Sequence, residues 1–485
     1  MKRKPRVLYA SFEAEPFLKT GGLGDVAGSL PKAIKAQGYE IRVIMPKFGT
    51  ISEKYKAKMK HLCDFTVDLG WRHQYCGIET LKHQGITFYF VDNEYYFNRE
   101  GTYGYLDDGE RIAFFAKAVM DSIPHIEDFN PDIVHCNDWH TALTPVYMKS
   151  HYCPEELKDV KTVFTIHNLK FQGIYSKWCI GDLLGFSEDE AGYLGLLEGD
   201  TVNYMRGAIC MADRITTVSP TYAEEICGQF YGEGLGYIFM NRRDVLSGIL
   251  NGIDNDRYNP YEDANLYYKF DKDNFIASKK ENKKKFQEEL GLTVDGDKPL
   301  MVIISRLTEQ KGLDLVLWIL GELMSQDVQL AVLGVGDQKY EDSLRSMAAY
   351  MPKKVSLSLT FSEPLSHKFY AAADMILVPS LFEPCGLSQM IAMRYGTLPV
   401  VRETGGLKDS VVPYNKLNGD GNGFSFANYN AHELLFTLKD AINLYYDNPE
   451  AWNTLVQHAL DTNFSWDASA EKYAALYADL LGIGE

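Results

Sequence analysis

Residues 299–312 read PLMVIISRLTEQKG. Leu300 to Ile304 form an unbroken apolar run, the pattern of a strand buried on both faces, as in a parallel sheet. A polar loop follows, and then LDLVLWILGELMSQ (313–326), which has the apolar spacing of a helix. This strand–loop–helix unit restarts a pattern that runs through the first half of the chain. There the predicted strands are RVLYAS (6–11), IRVIMP (41–46), ITFYFVD (86–92), DIVHCND (132–138), KTVFTIHN (161–168), RITTVS (214–219) and LSGILNG (246–252). After 312 the pattern continues through VQLAVLG (328–334), VSLSLT (355–360), MILVPS (375–380) and TLPVVRE (397–403). Two α/β domains in tandem are expected, with a ligand cleft between them.

The break between the halves is a polar stretch beginning at residue 251. It ends in the lysine-rich SKKENKKKFQEELG (278–291), which reads as a solvated helix face. The 485 residues are enough for several domains with their own cores. A net charge of −17 opposes nucleic acid or an anionic membrane as the main partner. No apolar run approaches the ~20 residues of a membrane span, and the basic N-terminus lacks a signal-peptide core. The 8 cysteines contain no C-x-x-C pair and are expected to be reduced, in a cytoplasmic protein.

Two glycine turns resemble each other, TGGLGDV (20–26) and TGGLKDSV (404–411), and each precedes helix-competent sequence. Such turns expose amides at a positive dipole end. GLGDVA (22–27) also fits the dinucleotide fingerprint G-x-G-x-x-A. However, EAEPFLKT separates it from its strand, and the next strand ends in Met45, Pro46 and Lys47 instead of an acid for ribose hydroxyls. A dehydrogenase is therefore set aside. Lys19 beside the exposed amides suits a phosphate group better.

In the second half, Arg306 and Lys311 share one strand-to-helix loop, where two cations can converge on a diphosphate. PSLFEPCGLSQM (379–390) supplies Glu383 and a helix start at Leu387 and Ser388 whose amides suit phosphate oxygens. Phe361 is a candidate for stacking on a base, with a core position as the ordinary alternative. DND (254–256) has the Asp-x-Asp form of a metal site but reads as a loop triplet at the domain boundary.

The segments KTGGLGDVAGSLP, CNDWHTAL, FTIHNLKFQG, VSPTYAEEI, NGIDNDRYNP, SRLTEQKGLDLV, PSLFEPCGLSQM and GTLPVVRETGGLKDSV, with the closing FSWDASAEKYAALY, occur in order along the chain. As a series they resemble the motifs of bacterial glycogen synthases and plant starch synthases. The resemblance implies a GT-B fold, two Rossmann-like domains with parallel sheets facing across a deep cleft. The first would span 1–255 and the second 256–465, with a C-terminal helix in 466–485 packing back on the first.

It further implies a retaining transfer of glucose from ADP-glucose to the non-reducing 4-hydroxyl of an α-1,4-glucan, without a metal or other cofactor. Lys19, Gly21 and Gly22 would approach the donor from the first domain, with Asp25, Asn251 and the catalytic Asp138 lining the cleft on that side and His167 beside the transferred glucose. Tyr103 and His140 would lie on the sugar or acceptor side. Arg306 and Lys311 would grip the diphosphate with the Leu387 and Ser388 amides, Phe361 would stack on the base, and Glu383 would support the transition state. Gly405 and Gly406 fit either the cleft rim or domain packing. The family's usual HNLAYQG is here HNLKFQG, placing Lys170 and Phe171 near the presumed acceptor path. A related transferase with another donor or acceptor, and a non-catalytic glucan- or nucleotide-sugar-binding protein, are the alternatives.

Overall fold

The computed structural model describes residues 3–483. The chain forms two compact units, one running up to Gly252 and taking back the segment from Trp466 onward, the other spanning Ile253–Ser465. The division falls at 252/253, whereas 255/256 was expected.

The strands of the first unit are β1 (Arg6–Ala10), β2 (Glu40–Pro46), β3 (Lys60–Leu69), β4 (Arg72–His83), β5 (Ile86–Asp92), β6 (Ile133–Asn137), β7 (Lys161–Ile166), β8 (Ile174–Ser176), β9 (Leu197–Glu198), β10 (Thr201–Asn203), β11 (Arg214–Thr217) and β12 (Leu246–Gly248). Nine of them make one sheet in the order β12-β11-β7-β6-β1-β2-β5-β4-β3. From β12 to β5 the neighbours run parallel, and β4 and β3 close the edge as an antiparallel hairpin. That hairpin was not anticipated. One face of it is solvated, so its alternating polar residues lack the continuous apolar run of a doubly covered strand.

The helix Trp466–Leu481 completes this unit. Tyr39 donates a hydrogen bond to the Ala474 carbonyl (2.8 Å), and the Tyr477 hydroxyl meets His135 Nδ1 at 2.6 Å.

The second unit carries β13 (Leu300–Ile304), β14 (Gln329–Leu333), β15 (Val355–Ser358), β16 (Met375–Val378), β17 (Leu398–Arg402) and β18 (Phe424–Phe426). All pair in parallel, in the order β15-β14-β13-β16-β17-β18. Counted within the unit, this is the 3-2-1-4-5-6 order of a Rossmann sheet. The strand order reverses between β13 and β16 here, and between β1 and β6 in the first unit. Ligands of such sheets bind outside the carboxyl ends of the strands at that reversal.

The lysine-rich segment corrects its expectation in part. It forms the helix Phe275–Glu289, and Lys279 and Lys283, one turn apart on the same side, are buried. Lys279 Nζ donates to the carbonyls of Ala371 (3.1 Å) and Tyr395 (2.9 Å) and to Thr397 Oγ1 (2.9 Å); burial pushes it down to about 7. Lys283 pairs with Asp374 at 2.7 Å. Lys280, Lys284 and Lys285 instead pair with acids at the surface.

Just past the unit boundary, Asp263 and His367 are each 3% exposed along their side chains, and His367 Nδ1 lies 2.5 Å from Asp263 Oδ2. The Tyr395 hydroxyl donates to the same oxygen at 2.6 Å. Burial opposes the imidazolium, but the Asp263 and Glu363 carboxylates outweigh it and hold His367 up at about 9. A group whose folded value is raised contributes stability that is complete below ~6.5 and lost as pH rises through about 9. The second unit should therefore lose on the order of 3 kcal/mol between pH 6.5 and 9.5. Thermal unfolding across that range measures it. His367→Gln should flatten the profile, and an unchanged slope in that variant would remove His367 as its cause.

Candidate active site

In the first unit the residues gather at the carboxyl ends of β1, β6 and β7. Asp138, immediately after β6, has φ 58° and ψ 177°. Side chains other than glycine avoid that region at a cost of about 1–3 kcal/mol, and such strain gathers at functional sites. Its surroundings hold it there. The Asp138 amide donates to Thr165 O (2.9 Å), its carbonyl accepts from Thr141 N (3.0 Å), and its carboxylate accepts from the amides of His167 (2.8 Å) and Asn168 (3.3 Å). Burial pushes the Asp138 carboxyl up to about 7, against the two amides that favour its charge.

His167 Nε2 lies 3.0 Å from Asn137 Oδ1, which also accepts from the Tyr9 hydroxyl at 2.9 Å. The Asn137 amide group donates to Ala10 O, which fixes its orientation. Burial brings His167 down to about 3, so it is neutral at pH 7 with its proton on Nε2 and Nδ1 left as an acceptor.

His140 is likewise buried and lowered to about 3, by burial first and then by His167 and Arg111. It stacks on Phe12 at 4.9 Å and 10° and lies 5.1 Å from the Tyr103 ring. Its Nδ1 and Asn251 Oδ1 are buried polar atoms without a hydrogen-bond partner among the described residues. Unpaired groups of that kind are costly unless a ligand or water meets them.

Lys19 is not poised alone. Its ammonium pairs with Asp25 (2.6 Å), and Glu15 stands 3.9 Å away. Gly21 caps the helix Gly22–Ala36, and a side chain there would enter open space. The helix start is therefore uncovered.

In the second unit, β13 delivers Arg306 and Lys311, and β16 delivers Ser380 and Glu383. Lys311 Nζ and Glu383 Oε2 are 2.6 Å apart, with side chains 18% and 10% exposed, and the Ser380 hydroxyl donates to the same oxygen at 2.9 Å. Gly312 makes this meeting possible. Its φ is +71°, and a Cβ would sit 2.1 Å from Pro379 O, so only glycine lets the Lys311 loop lie against the end of β16.

Arg306 is exposed, and its guanidinium makes no hydrogen bond or ion pair among the described residues; its carbonyl accepts from Ser305 Oγ (3.1 Å) and the Thr308 amide (3.0 Å). Phe361, three residues beyond β15, is 84% exposed. That excludes the core position weighed for it. Leu387 caps the helix that begins at Ser388.

The second glycine turn differs from the first. Gly405 and Gly406 are buried, and side chains there would meet Glu383 O and Cys385 O at 2.1 Å. The Gly406 amide donates to Glu383 O at 3.1 Å. This turn supports the Glu383 loop from behind.

Sequence reasoning overlooked Glu13, Asn137 and Ser380. Each lies within three residues of the end of β1 or β6, or just past β16, the strands that flank a reversal. Predicting the strand order would have exposed them. No group of three or more His, Cys, Asp or Glu that could hold a metal occurs among the described residues. No helix among them is long and apolar enough to cross a membrane.

Two Rossmann-type units, the second with Lys311 held against Glu383 at its strand reversal, are the architecture of glycosyltransferases of the GT-B class. The family model described as "Starch synthase catalytic domain" matches residues 6–241, and that for "Glycosyl transferases group 1" matches 283–459. The chain belongs to the glycogen and starch synthase family, whose members transfer glucose to elongate a glucan.

It is 49% identical over 481 residues to a glycogen synthase of Clostridium novyi, covering 98% of this chain and 99% of that one. The corresponding enzyme of Caldicellulosiruptor saccharolyticus is 50% identical over 477 residues, again covering 98% and 99%. Among solved structures, the catalytic domain of starch synthase IV from Arabidopsis thaliana, bound to ADP and acarbose, superposes with a TM-score of 0.91 at 32% identity, covering 99% of this chain and 100% of that one. A sucrose-phosphate synthase from Thermosynechococcus elongatus shares the fold, with a TM-score of 0.61 at 15% identity over 99% and 100% of the two chains.

Proposed function

We propose that this glucosyltransferase takes glucose from ADP-glucose and adds it, with retention, to the non-reducing 4-hydroxyl of an α-1,4-glucan, without a metal. The observation that carries the proposal is Lys311 against Glu383 at the carboxyl ends of β13 and β16, with Arg306 on the same loop as Lys311. Breaking the bond between glucose and diphosphate leaves an electron-poor sugar and a more negative nucleotide. Arg306 and Lys311, with the Leu387 and Ser388 amides, stabilise that charge as it develops. Glu383 faces the sugar, and Phe361 offers its free ring to the base.

On the first unit, Lys19, Gly21, Gly22, Asp25 and Asn251 contact the donor, and Asp138 and His167 the transferred glucose. Tyr103 and His140 line the acceptor side. The Arabidopsis enzyme was solved with ADP and acarbose bound, which supports binding of a nucleotide sugar and a glucan. Eight cysteines, none joined in a disulfide, fit a reducing cytoplasm.

The test is transfer of labelled glucose from ADP-glucose or UDP-glucose into glycogen in the presence of a chelator. ADP-glucose should be used, and Glu383→Ala should abolish incorporation while retaining ADP binding. Transfer from UDP-glucose alone would reassign the base. A chelator-sensitive reaction would overturn the metal-free mechanism.

A further inference from the structure

Glu13, buried in the loop after β1, has no role in the scheme above. Its Oε2 accepts from the Thr20 amide (2.6 Å), and its Oε1 accepts from the Thr20 hydroxyl (2.5 Å) and from the Tyr103 hydroxyl. The Glu13 main chain is itself fixed, since Ser11 Oγ donates to Glu13 O at 2.6 Å. Thr20 lies between Lys19 and the uncovered helix start, on the donor side. Tyr103 lies on the acceptor side, in a loop that buried Arg111 ties through Thr102 O (3.0 Å) to the helix Glu94–Phe97, where it donates to Tyr96 O (2.9 Å). One carboxylate thus ties together the groups assigned to the two substrates.

We propose that Glu13 is a positioning residue that couples the acceptor side to the donor side, holding Tyr103 and the Thr20 loop in one arrangement. The inference rests on the substrate assignments just made. Two consequences follow from the chemistry. First, a carboxylate only accepts, so the Tyr103 proton is committed to Glu13, and the phenol oxygen can meet a sugar hydroxyl only as an acceptor. Second, a glutamine cannot replace Glu13 neutrally. With its oxygen towards the two hydroxyls, its NH₂ opposes the Thr20 amide; flipped, it donates to Tyr103 and reverses that group's polarity. Movement of either loop is therefore transmitted to the other through hydrogen bonds to a buried charge, which are stronger than neutral ones.

The experiment is steady-state kinetics for ADP-glucose and a malto-oligosaccharide acceptor, with thermal unfolding of each variant. Tyr103→Phe should raise the acceptor KM most and, through the lost bond to Glu13, the donor KM several-fold. Glu13→Gln should raise both KM values, each about tenfold. The decisive variant is Thr20→Val, which keeps the amide, loses the hydroxyl that meets both Glu13 Oε1 and the Tyr103 side chain, and changes little volume. It should raise the acceptor KM several-fold at an unaltered unfolding midpoint, which a purely local role would not do. It also carries the test if Glu13→Gln does not fold.

An acceptor KM unchanged in Thr20→Val would overturn the coupling, as would Glu13→Gln shifting only one KM. If the wild-type protein itself moves no glucose from ADP-glucose, the substrate assignment fails first. If it transfers normally and only these shifts are absent, the coupling alone is wrong.

Discussion

Arg306→Ala and Lys311→Ala are each expected to lower kcat by about 10²–10³, the loss seen when one preorganised group is removed from a site of developing negative charge. Their effects on folding should differ. Arg306 is exposed and unpaired among the described residues, so its removal should leave the unfolding midpoint in place. Lys311 is the cation beside Glu383, a carboxylate only 10% exposed, so its removal leaves a largely buried charge held by Ser380 alone among the contacts of that oxygen. The midpoint of Lys311→Ala should fall by several degrees, and ADP should restore less of it than in the wild type. Lys311→Arg keeps the charge but changes a point cation for a planar fork, and is expected to recover only part of the rate. Single-turnover transfer with saturating donor separates the chemical step from binding. Full activity in Arg306→Ala would remove the electrostatic account of the leaving group.

The second large effect concerns stability alone. Asp374 Oδ2 accepts from Lys283 Nζ and from the Leu300 amide, both at 2.7 Å, where β13 begins. Asp374→Ala strands the buried Lys283 ammonium among the carbonyls of Gly296 and Lys298 and the Tyr445 hydroxyl, and leaves the Leu300 amide unpaired. Breaking one side of a buried ion pair costs about 3–5 kcal/mol, while replacing both sides by apolar groups is far milder. Asp374→Ala should therefore weaken protection from hydrogen exchange along Leu300–Ile304 by that amount, and Asp374→Leu with Lys283→Met should recover much of it. Equal losses in the single and double variants would show that the pair is not what holds the start of β13.

The two α/β halves, their parallel strands and the loops bearing Arg306, Lys311 and Glu383 were legible in the sequence. A strand covered on both faces writes itself as a continuous apolar run, and the loop after it is short and local. The β3–β4 hairpin escaped because a half-solvated strand leaves only a weak alternation. The lysine helix misled for a related reason. Composition counts charges, whereas helical phase buries Lys279 and Lys283, and residues 371 to 397 supply carbonyls and a hydroxyl to the first and the Asp374 carboxylate to the second.

The two glycine turns show where sequence stops. Their likeness was plain, yet the first opens onto free space and the second is pressed against the Glu383–Cys385 backbone. Residue types and local spacing were enough to determine the family, the halves and which side chains carry charge to the strand ends. Only the tertiary structure decided which of those groups are paired, buried or strained: Lys19 with Asp25, Lys311 with Glu383, Asp138 in its unfavourable backbone conformation, and Glu13 between Thr20 and Tyr103. The reason is physical. Ionisation, hydrogen-bond polarity and strain depend on neighbours within a few ångströms, and in a parallel sheet those neighbours arrive from strands far apart in the chain.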